Sequence, residues 1–179
     1  MSDMAVRADV DVAPLTVEAA PRMLTWMRDP DVSANIGLTR SPSLEQTQAW
    51  IQRSLEQGSA WPYAILWNSA HVGNVVFDQI DEHLSMARFS VYIGAPEARG
   101  CGVGFSGMYR AIRNVFHTRG LHKTWLTVHT ENISAIRSYQ RLGFQLEGVL
   151  RDAFLLNGRR LPALYMGLLR TDFERLDIH

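Results

Sequence analysis

Apolar and polar residues alternate along several stretches of the chain, and this period of two predicts extended strands. Only the short polar turn Asn68-Ser69 separates the second stretch from the third, and Asn157-Gly158 is a strong hairpin signal. Three strands in the middle of the chain are therefore expected to form an antiparallel meander. The predicted strands are Val6–Ala13, Trp61–Trp67, His71–Ile80, Leu84–Gly94, Lys123–Thr130, Phe144–Asp152 and Arg160–Leu169.

Helical periods fill most of the remaining chain. The clearest helix start is the capping box Ser43-Leu-Glu-Gln46, and Gly58 suits the position just after the end of that helix. The first helix stops before Pro30, because the residue preceding a proline avoids the helical region. The polar segment Asp31–Pro42 is expected to be irregular. The predicted helices are Val17–Arg28, Ser43–Gln57, Met108–Arg119 and Ile133–Leu142.

A glycine-rich turn over residues 94–107 separates a predicted strand from a predicted helix. Glycine allows positive φ and brings backbone N–H groups close to a ligand, and a helix N-terminus adds about half a positive charge. This arrangement predicts a cradle for a phosphate or a pyrophosphate. It is not a P-loop, because no Lys-Ser/Thr pair follows. Glycines that only shape a tight turn are the alternative interpretation.

Length and charge narrow the classes of function. The chain has 179 residues with 18 basic and 18 acidic side chains, so its formal net charge is zero. We expect one domain over residues 1–179 and no binding to nucleic acid, membrane or metal. No apolar run approaches the ~18 residues of a membrane-spanning helix. A single cysteine, Cys101, excludes an internal disulfide and favours the reducing cytoplasm.

Two motifs make the chain resemble the GNAT superfamily of acyl-CoA N-acyltransferases. Arg99-Gly-Cys-Gly-Val-Gly104 fits the family signature Arg/Gln-x-x-Gly-x-Gly/Ala. The segment Asn132–Phe144 fits Asn-x-x-Ala-x-x-x-Tyr-x-x-x-Gly-Phe. Trp26–Val32 resembles the branch of ribosomal-protein N-terminal and amino-sugar acetyltransferases. The resemblance implies one α+β domain with a mostly antiparallel, twisted central sheet that is splayed at the acyl-CoA site and flanked by helices.

The resemblance also implies acetyl-CoA as acyl donor, bound along the turn and the splayed strand. Backbone N–H groups of the turn hold the pyrophosphate, and free backbone groups at the strand end pair with the pantetheine amides. Asn132 is either close to the pantetheine arm or only a helix N-cap. Arg99 and Cys101 each have an alternative interpretation without a binding role. Arg99 is then a solvated surface charge, and Cys101 a small turn residue. The implied cofactor-binding residues are Tyr92, Ile93, Gly94, Arg99, Gly100, Cys101, Gly102, Val103, Gly104, Phe105 and Asn132.

Three residues are predicted to be catalytic. The resemblance places the Tyr139 hydroxyl beside the thioester sulfur, where it can donate a proton to the leaving thiolate; core packing is the alternative. Some relatives carry a Glu base where this chain has Thr127. Asp81, in a turn, and His129, on the same strand face as Thr127, are the remaining candidate bases, although a turn Asp and a strand-end His need no catalytic role.

The acceptor is expected to be a primary amine of low pKa. Deprotonating an α-amine at pH 7 costs about 1.4 kcal/mol, against about 4.6 kcal/mol for a lysine side chain. Loss of the Glu base therefore favours a protein N-terminus or an amino sugar. The acceptor pocket is expected between Asn35–Pro42, the first two helices and the final hairpin at Asn157–Arg160. A homodimer is one allowed assembly, and a non-catalytic acyl-CoA-binding or regulatory module is the alternative function.

Overall fold

Seven strands form one sheet in the order β1-β2-β3-β4-β5-β7-β6. The computed structural model describes residues 5–38 and 40–176. All neighbouring strands are antiparallel except the parallel pair β4 and β5. The strands are β1 (Val10–Pro14), β2 (Trp61–Trp67), β3 (Ala70–Asp81), β4 (Met86–Ile93), β5 (Lys123–His129), β6 (Gln145–Leu156) and β7 (Arg159–Leu169).

Six α-helices accompany the sheet in the described residues, and they cover both of its faces. Successive side chains of β2 point to opposite faces of the sheet. Ile65 belongs to the larger core cluster on one face, whereas Ala64 packs with Met23, Met27 and Ile51 on the other face. The helices are α1 (Ala20–Met27), α2 (Pro30–Asn35), α3 (Leu44–Gln57), α4 (Val103–Thr118), α5 (Ile133–Arg141) and α6 (Arg170–Glu174).

Helix α4 begins at Val103, five positions before the predicted start at Met108. The prediction was wrong because Gly104 and Gly107 look like turn residues in the sequence. In the structure they are interface residues within the helix. A Cβ at Gly104 would lie 3.2 Å from Ile93 Cγ1, and one at Gly107 would lie 2.7 Å from Ile65 Cγ2. These glycines let α4 pack closely on the sheet.

Helix α2 occupies part of the segment expected to be irregular. Asp29 is its N-cap and accepts a hydrogen bond from the Asp31 N–H at 2.9 Å, while Pro30 takes the first helical position. An Asp-Pro pair is a helix start signal as well as a stop signal. The first predicted helix is also divided, because Val17–Ala19 is a 3-10 turn before α1. Helix α6 had no counterpart among the predictions.

Strands β4 and β5 separate after three paired positions, Met86 to Arg88. Strand β4 stays paired with β3 up to Ile93, so only its β5 side is left open. This confirms the expected splay of the sheet. No helix in the described part of the chain is both long and apolar enough to cross a membrane.

Candidate active site

A cavity of about 1090 Å³ lies where β4 and β5 separate. We call it the cleft. Its walls come from the open side of β4, from β5, from the first turn of α4, and from one face each of α2 and α5. The turn before α4 and the side chain of Tyr139 reach the same cavity, so the two sequence motifs meet there.

The turn before α4 presents a run of free backbone donors. Gly100 and Gly102 have φ of 73° and 85°, the left-handed region that favours glycine. No backbone or side-chain acceptor in the described residues takes the N–H groups of residues 100–105; the first bonded amide of α4 is that of Ser106, 3.1 Å from the Gly102 carbonyl. Six consecutive free N–H groups at a helix N-terminus form an anion cradle.

Three predicted residues of this turn take part through backbone only. The Val103 and Phe105 side chains are buried in the core. The Cys101 thiol lies 3.3 Å from the Ala98 carbonyl, and this side chain does not line the cleft. A role for these residues toward an anion therefore rests on their N–H groups.

Arg99, predicted to bind the cofactor or to be a solvated charge, lines the cleft and is bonded to neighbouring segments. Its guanidinium pairs with Asp29 at 2.9 Å and donates to the Ile93 and Gly94 carbonyls at 3.1 and 3.0 Å. These bonds consume most of its donors. The side chain fastens the turn to the end of β4 and to the start of α2.

The end of β4 offers fewer free backbone groups than expected. The Gly94 N–H donates to the Val72 carbonyl at 2.9 Å, so Gly94 bonds toward β3. Because strand residues alternate in direction, Tyr92 also bonds toward β3, whereas Ile93 and Val91 face the open side. Of the predicted set Tyr92, Ile93 and Gly94, only Ile93 faces the open side, and its carbonyl already accepts from Arg99, which leaves its N–H. Gly94 has a packing role, since a Cβ there would collide with the Trp26 indole.

The Tyr92 side chain lines the cleft and belongs to a buried hydrogen-bond network that the sequence analysis did not predict. Asn74 is fully buried and donates to the Tyr92 hydroxyl at 2.6 Å, while its amide oxygen contacts His71 Nε2 at 2.8 Å. Burial raises the pKa of Tyr92 to about 12, so this hydroxyl stays protonated. A polar residue inside an apolar strand, Asn74, was the available signal.

Tyr139 belongs to the core and to the cleft at once. Its ring packs against Phe89 and Phe144, with centroids 6.2 and 5.7 Å away, and the residue lines the cleft with Thr127. Burial raises the pKa of Tyr139 well above its ordinary value. The ring therefore packs in the core, and the role as a proton donor to the thiolate stays a prediction.

The Asn35 side chain of α2 links His129, at the end of β5, to Asn132, at the start of α5. Its Oδ1 lies 3.2 Å from His129 Nε2 and 3.2 Å from Asn132 Nδ2. Asn132 also caps α5 by accepting from the Ala135 N–H at 3.2 Å. His129 is buried, its Nδ1 has no partner in the described residues, and burial lowers its pKa. Asn35 and Asn132 line the cleft, whereas the predicted base His129 does not.

Asp81 does not join the site. It lies at the end of β3, outside the cleft, and its carboxylate accepts from the Leu84 N–H at 2.8 Å. The hydrogen bond satisfies its own turn, as a turn Asp commonly does. The structure therefore gives no geometry for the predicted role as a base.

Two arginines of α5 were not predicted. Arg137 and Arg141 line the cleft, and the Arg141 guanidinium lies 4.7 Å from the Phe105 ring centroid. Their spacing of four residues places them on one helix face. They add positive charge to the wall that also holds the anion cradle.

A smaller cavity of about 380 Å³ lies between α2 and the β6–β7 hairpin, at the expected place of the acceptor pocket. Ser33, Gly37 and Phe154 line it, and Phe154 lines the cleft as well. In the hairpin, Arg159 is paired with Glu131 at 2.8 Å. No group of three or more His, Cys, Asp or Glu side chains in the described residues could hold a metal ion.

Comparison with known proteins agrees with this geometry. Residues 10–145 match the sequence profile of the family described as the acetyltransferase (GNAT) domain. The chain belongs to this family. Two sequence relatives are the spermidine N(1)-acetyltransferase of Vibrio cholerae, 33% identical over 102 residues, and the uncharacterized N-acetyltransferase p20 of Bacillus licheniformis, 26% identical over 165 residues.

The extent of these matches differs. The match to the Vibrio protein covers 57% of this chain and 58% of that one, so the chain spans little more than half of that relative; the match to p20 covers 89% and 92%. The crystal structure of spermidine N-acetyltransferase from Vibrio cholerae with CoA and spermine superposes with a TM-score of 0.88 at 21% identity, covering 94% of this GNAT chain and all of that one.

A second solved structure, RimL, the ribosomal L7/L12 alpha-N-protein acetyltransferase in complex with coenzyme A, gives a TM-score of 0.82 at 15% identity and covers 93% and 97% of the two chains. At such identities the two structures show a shared fold. They confirm the α+β GNAT architecture expected from the sequence.

Proposed function

We propose that this GNAT chain is an acetyl-CoA-dependent N-acetyltransferase that acts on a primary amine. The observation that carries the proposal is the run of six free N–H groups beside the splayed strands, with Tyr139 lining the same cleft. The cradle suits the pyrophosphate, with Arg137 and Arg141 adding positive charge nearby. The open side of β4 at Val91 and Ile93 suits an amide-bearing arm.

In the proposed reaction, the amine nitrogen attacks the thioester carbonyl, a C–N bond forms and the C–S bond breaks. The leaving thiolate carries the developing negative charge, and in this proposal Tyr139 donates a hydrogen bond to it. Thr127 cannot accept the amine proton, and His129 does not line the cleft. We assign the proton to water.

We propose a polyamine as the acceptor, because the spermidine acetyltransferase relatives are named for such a substrate. One feature of the cleft supports it. Asp31 lines the cleft, and no described side chain pairs with its carboxylate. The cleft arginines Arg88 and Arg99 are already paired with Asp78 and Asp29. Asp31 can therefore hold a second ammonium group of the acceptor. A protein N-terminus and an amino sugar, favoured by the sequence, are the comparison acceptors.

Kinetics on one acceptor pair test this assignment. Thiol release from acetyl-CoA is measured with spermidine and with n-butylamine, which lacks a second ammonium group. Asp31→Asn should raise the KM for spermidine about three- to tenfold through the lost charge-assisted contact and leave n-butylamine unchanged. Turnover of an N-terminal peptide or an amino sugar with none of spermidine would overturn the polyamine assignment. Binding of acetyl-CoA with no turnover of any amine would favour the non-catalytic alternative.

A further inference from the structure

The segment before β1 is fastened to the back of the anion cradle through one arginine. Arg7 Nη1 donates to the Cys101 carbonyl at 3.1 Å. Its Nε and Nη2 donate to Asp9 at 2.9 and 2.7 Å, and the guanidinium lies 5.4 Å from the Trp67 ring centroid. Asp9 also accepts from Trp67 Nε1 at 2.9 Å. The guanidinium is therefore held in one orientation.

The backbone of Arg7 is bonded to the first turns of α4. Its N–H donates to Ser106 Oγ at 2.9 Å, and its carbonyl accepts from Arg110 at 3.2 Å. Ser106 is fully buried, so this contact has little freedom to move. Arg7 is thus fixed relative to the helix that begins at the cradle.

One peptide unit connects Arg7 to the cleft. In a planar trans peptide the C=O of one residue and the N–H of the next point in opposite directions. Arg7, which does not line the cleft, holds the Cys101 carbonyl, and Gly102 lines the cleft on the other side. The Gly102 N–H is therefore directed into the cleft, where no described residue accepts it.

The turn has little rigidity of its own. Gly100 and Gly102 have φ of 73° and 85°, and glycine leaves such a conformation readily. The Cys101–Gly102 peptide, with Gly102 on one side, can rotate and withdraw its N–H from a ligand. The contact from Arg7 opposes that rotation. Since Asp9 offsets the charge of Arg7, orientation of the peptide is the main effect.

We propose that Arg7 is a positioning residue that keeps the Gly102 N–H directed at a phosphate in the cradle. The inference rests on the proposed function, because the phosphate is that of coenzyme A. It predicts a loss confined to ligands that carry the pyrophosphate. Removal of Arg7 should leave the pantetheine side of the cleft unchanged.

Calorimetry with coenzyme A on Arg7→Met tests the proposal. We expect the Kd to rise about three- to tenfold, the worth of one hydrogen bond, while Arg53→Met does not change it. Arg53 is an exposed arginine whose guanidinium bonds only within α3. With S-acetylpantetheine as donor, which has no pyrophosphate, the KM should be equal in wild type and Arg7→Met.

Amide NMR of the uniformly ¹⁵N-labelled protein gives a direct readout. Coenzyme A should move the Gly102 resonance in the wild type and move it less in Arg7→Met. A folded Arg7→Met variant with wild-type affinity and a wild-type Gly102 response would overturn this inference alone. If Arg7→Met does not fold, the wild type alone tests the inference. A Gly102 resonance that does not shift when coenzyme A is added would then overturn it. A wild type that does not bind coenzyme A would overturn the proposed function and this inference together.

Discussion

Tyr139 lies between the aromatic core and the cleft, and this position changes the role that the sequence suggested. A tyrosine of ordinary pKa, about 10, is a weaker acid than a thiol of pKa about 8.5, so full proton transfer to the thiolate costs about 2 kcal/mol. Burial raises the pKa of Tyr139 further and makes that transfer less favourable. The hydroxyl is better suited to donate a hydrogen bond to sulfur while water supplies the proton.

Tyr139→Phe should separate this role from packing. The ring contacts with Phe89 and Phe144 remain, so the thermal unfolding temperature should stay close to that of the wild type. Turnover should fall about a hundred- to a thousandfold, as for loss of one transition-state donor. Affinity for coenzyme A, measured by calorimetry, should change little. A folded variant with full turnover would leave Tyr139 as a core residue only.

His129 should make stability depend on pH. Burial lowers its folded-state pKa below the unfolded value of about 6.5. Below that pH the unfolded chain binds a proton that the folded chain resists, so the unfolding free energy should decline from about pH 7 to pH 5. His129→Gln should make the decline shallower in urea titrations at each pH. The decline should not vanish, because burial also lowers the pKa of His71. An equal slope in wild type and variant would contradict this.

The sequence can predict local backbone geometry near the cleft, and it cannot predict the side-chain contacts there. The cradle at Gly100–Phe105 follows from local glycine conformations, which a sequence can reveal. The engagement of Arg99 with Asp29, and the burial of Asn74 beneath Tyr92, depend on contacts between distant segments. Residue type and spacing do not contain that information. Asp81 was a candidate because it lies in the turn before the splayed strand, and its carboxylate bonds within that turn.

At the scale of elements, the cradle depends on the junction of a positive-φ turn with the start of α4. Gly102 is the N-cap of α4 with φ of 85°, a conformation that is strained for any β-branched residue. The free N–H groups follow from this geometry.

Gly102→Val should weaken binding of coenzyme A at least about tenfold, or about 1.4 kcal/mol, in a calorimetric titration. Gly148→Ala is a matched control on β6, because a Cβ there meets no atom within 4 Å. The control should bind like the wild type. Equal affinity of a folded Gly102→Val protein would remove the cradle from the account.

Elements with strong local signals were predicted accurately. The helix with the Ser43 capping box begins and ends where the sequence indicated. Helix α2 was missed because Asp29-Pro30 was taken only as a stop signal, although the same pair starts a helix. The early start of α4 was missed because close packing against Ile93 and Ile65, and not turn formation, explains Gly104 and Gly107.

At the scale of the whole molecule, the sheet topology creates the site. Pairing of β4 with β5 at only three positions opens the cleft, and α2 and the β6–β7 hairpin close its acceptor end. The family resemblance predicted this splay, which no single strand pattern indicates. The homodimer that the sequence allows stays a prediction. The exposed apolar side chains of β6, Leu146, Val149 and Leu155, mark the sheet edge where a second copy could pack.

Product analysis tests the central claim most directly. The protein is incubated with acetyl-CoA and a set of primary amines that includes spermidine, and mass spectrometry follows the amine while a thiol reagent follows free coenzyme A. The account predicts one acetylated amine for each thiol released, with spermidine among the products and a strongly reduced rate for Tyr139→Phe. Thiol release without an acetylated amine, or binding of acetyl-CoA without any transfer, would contradict it.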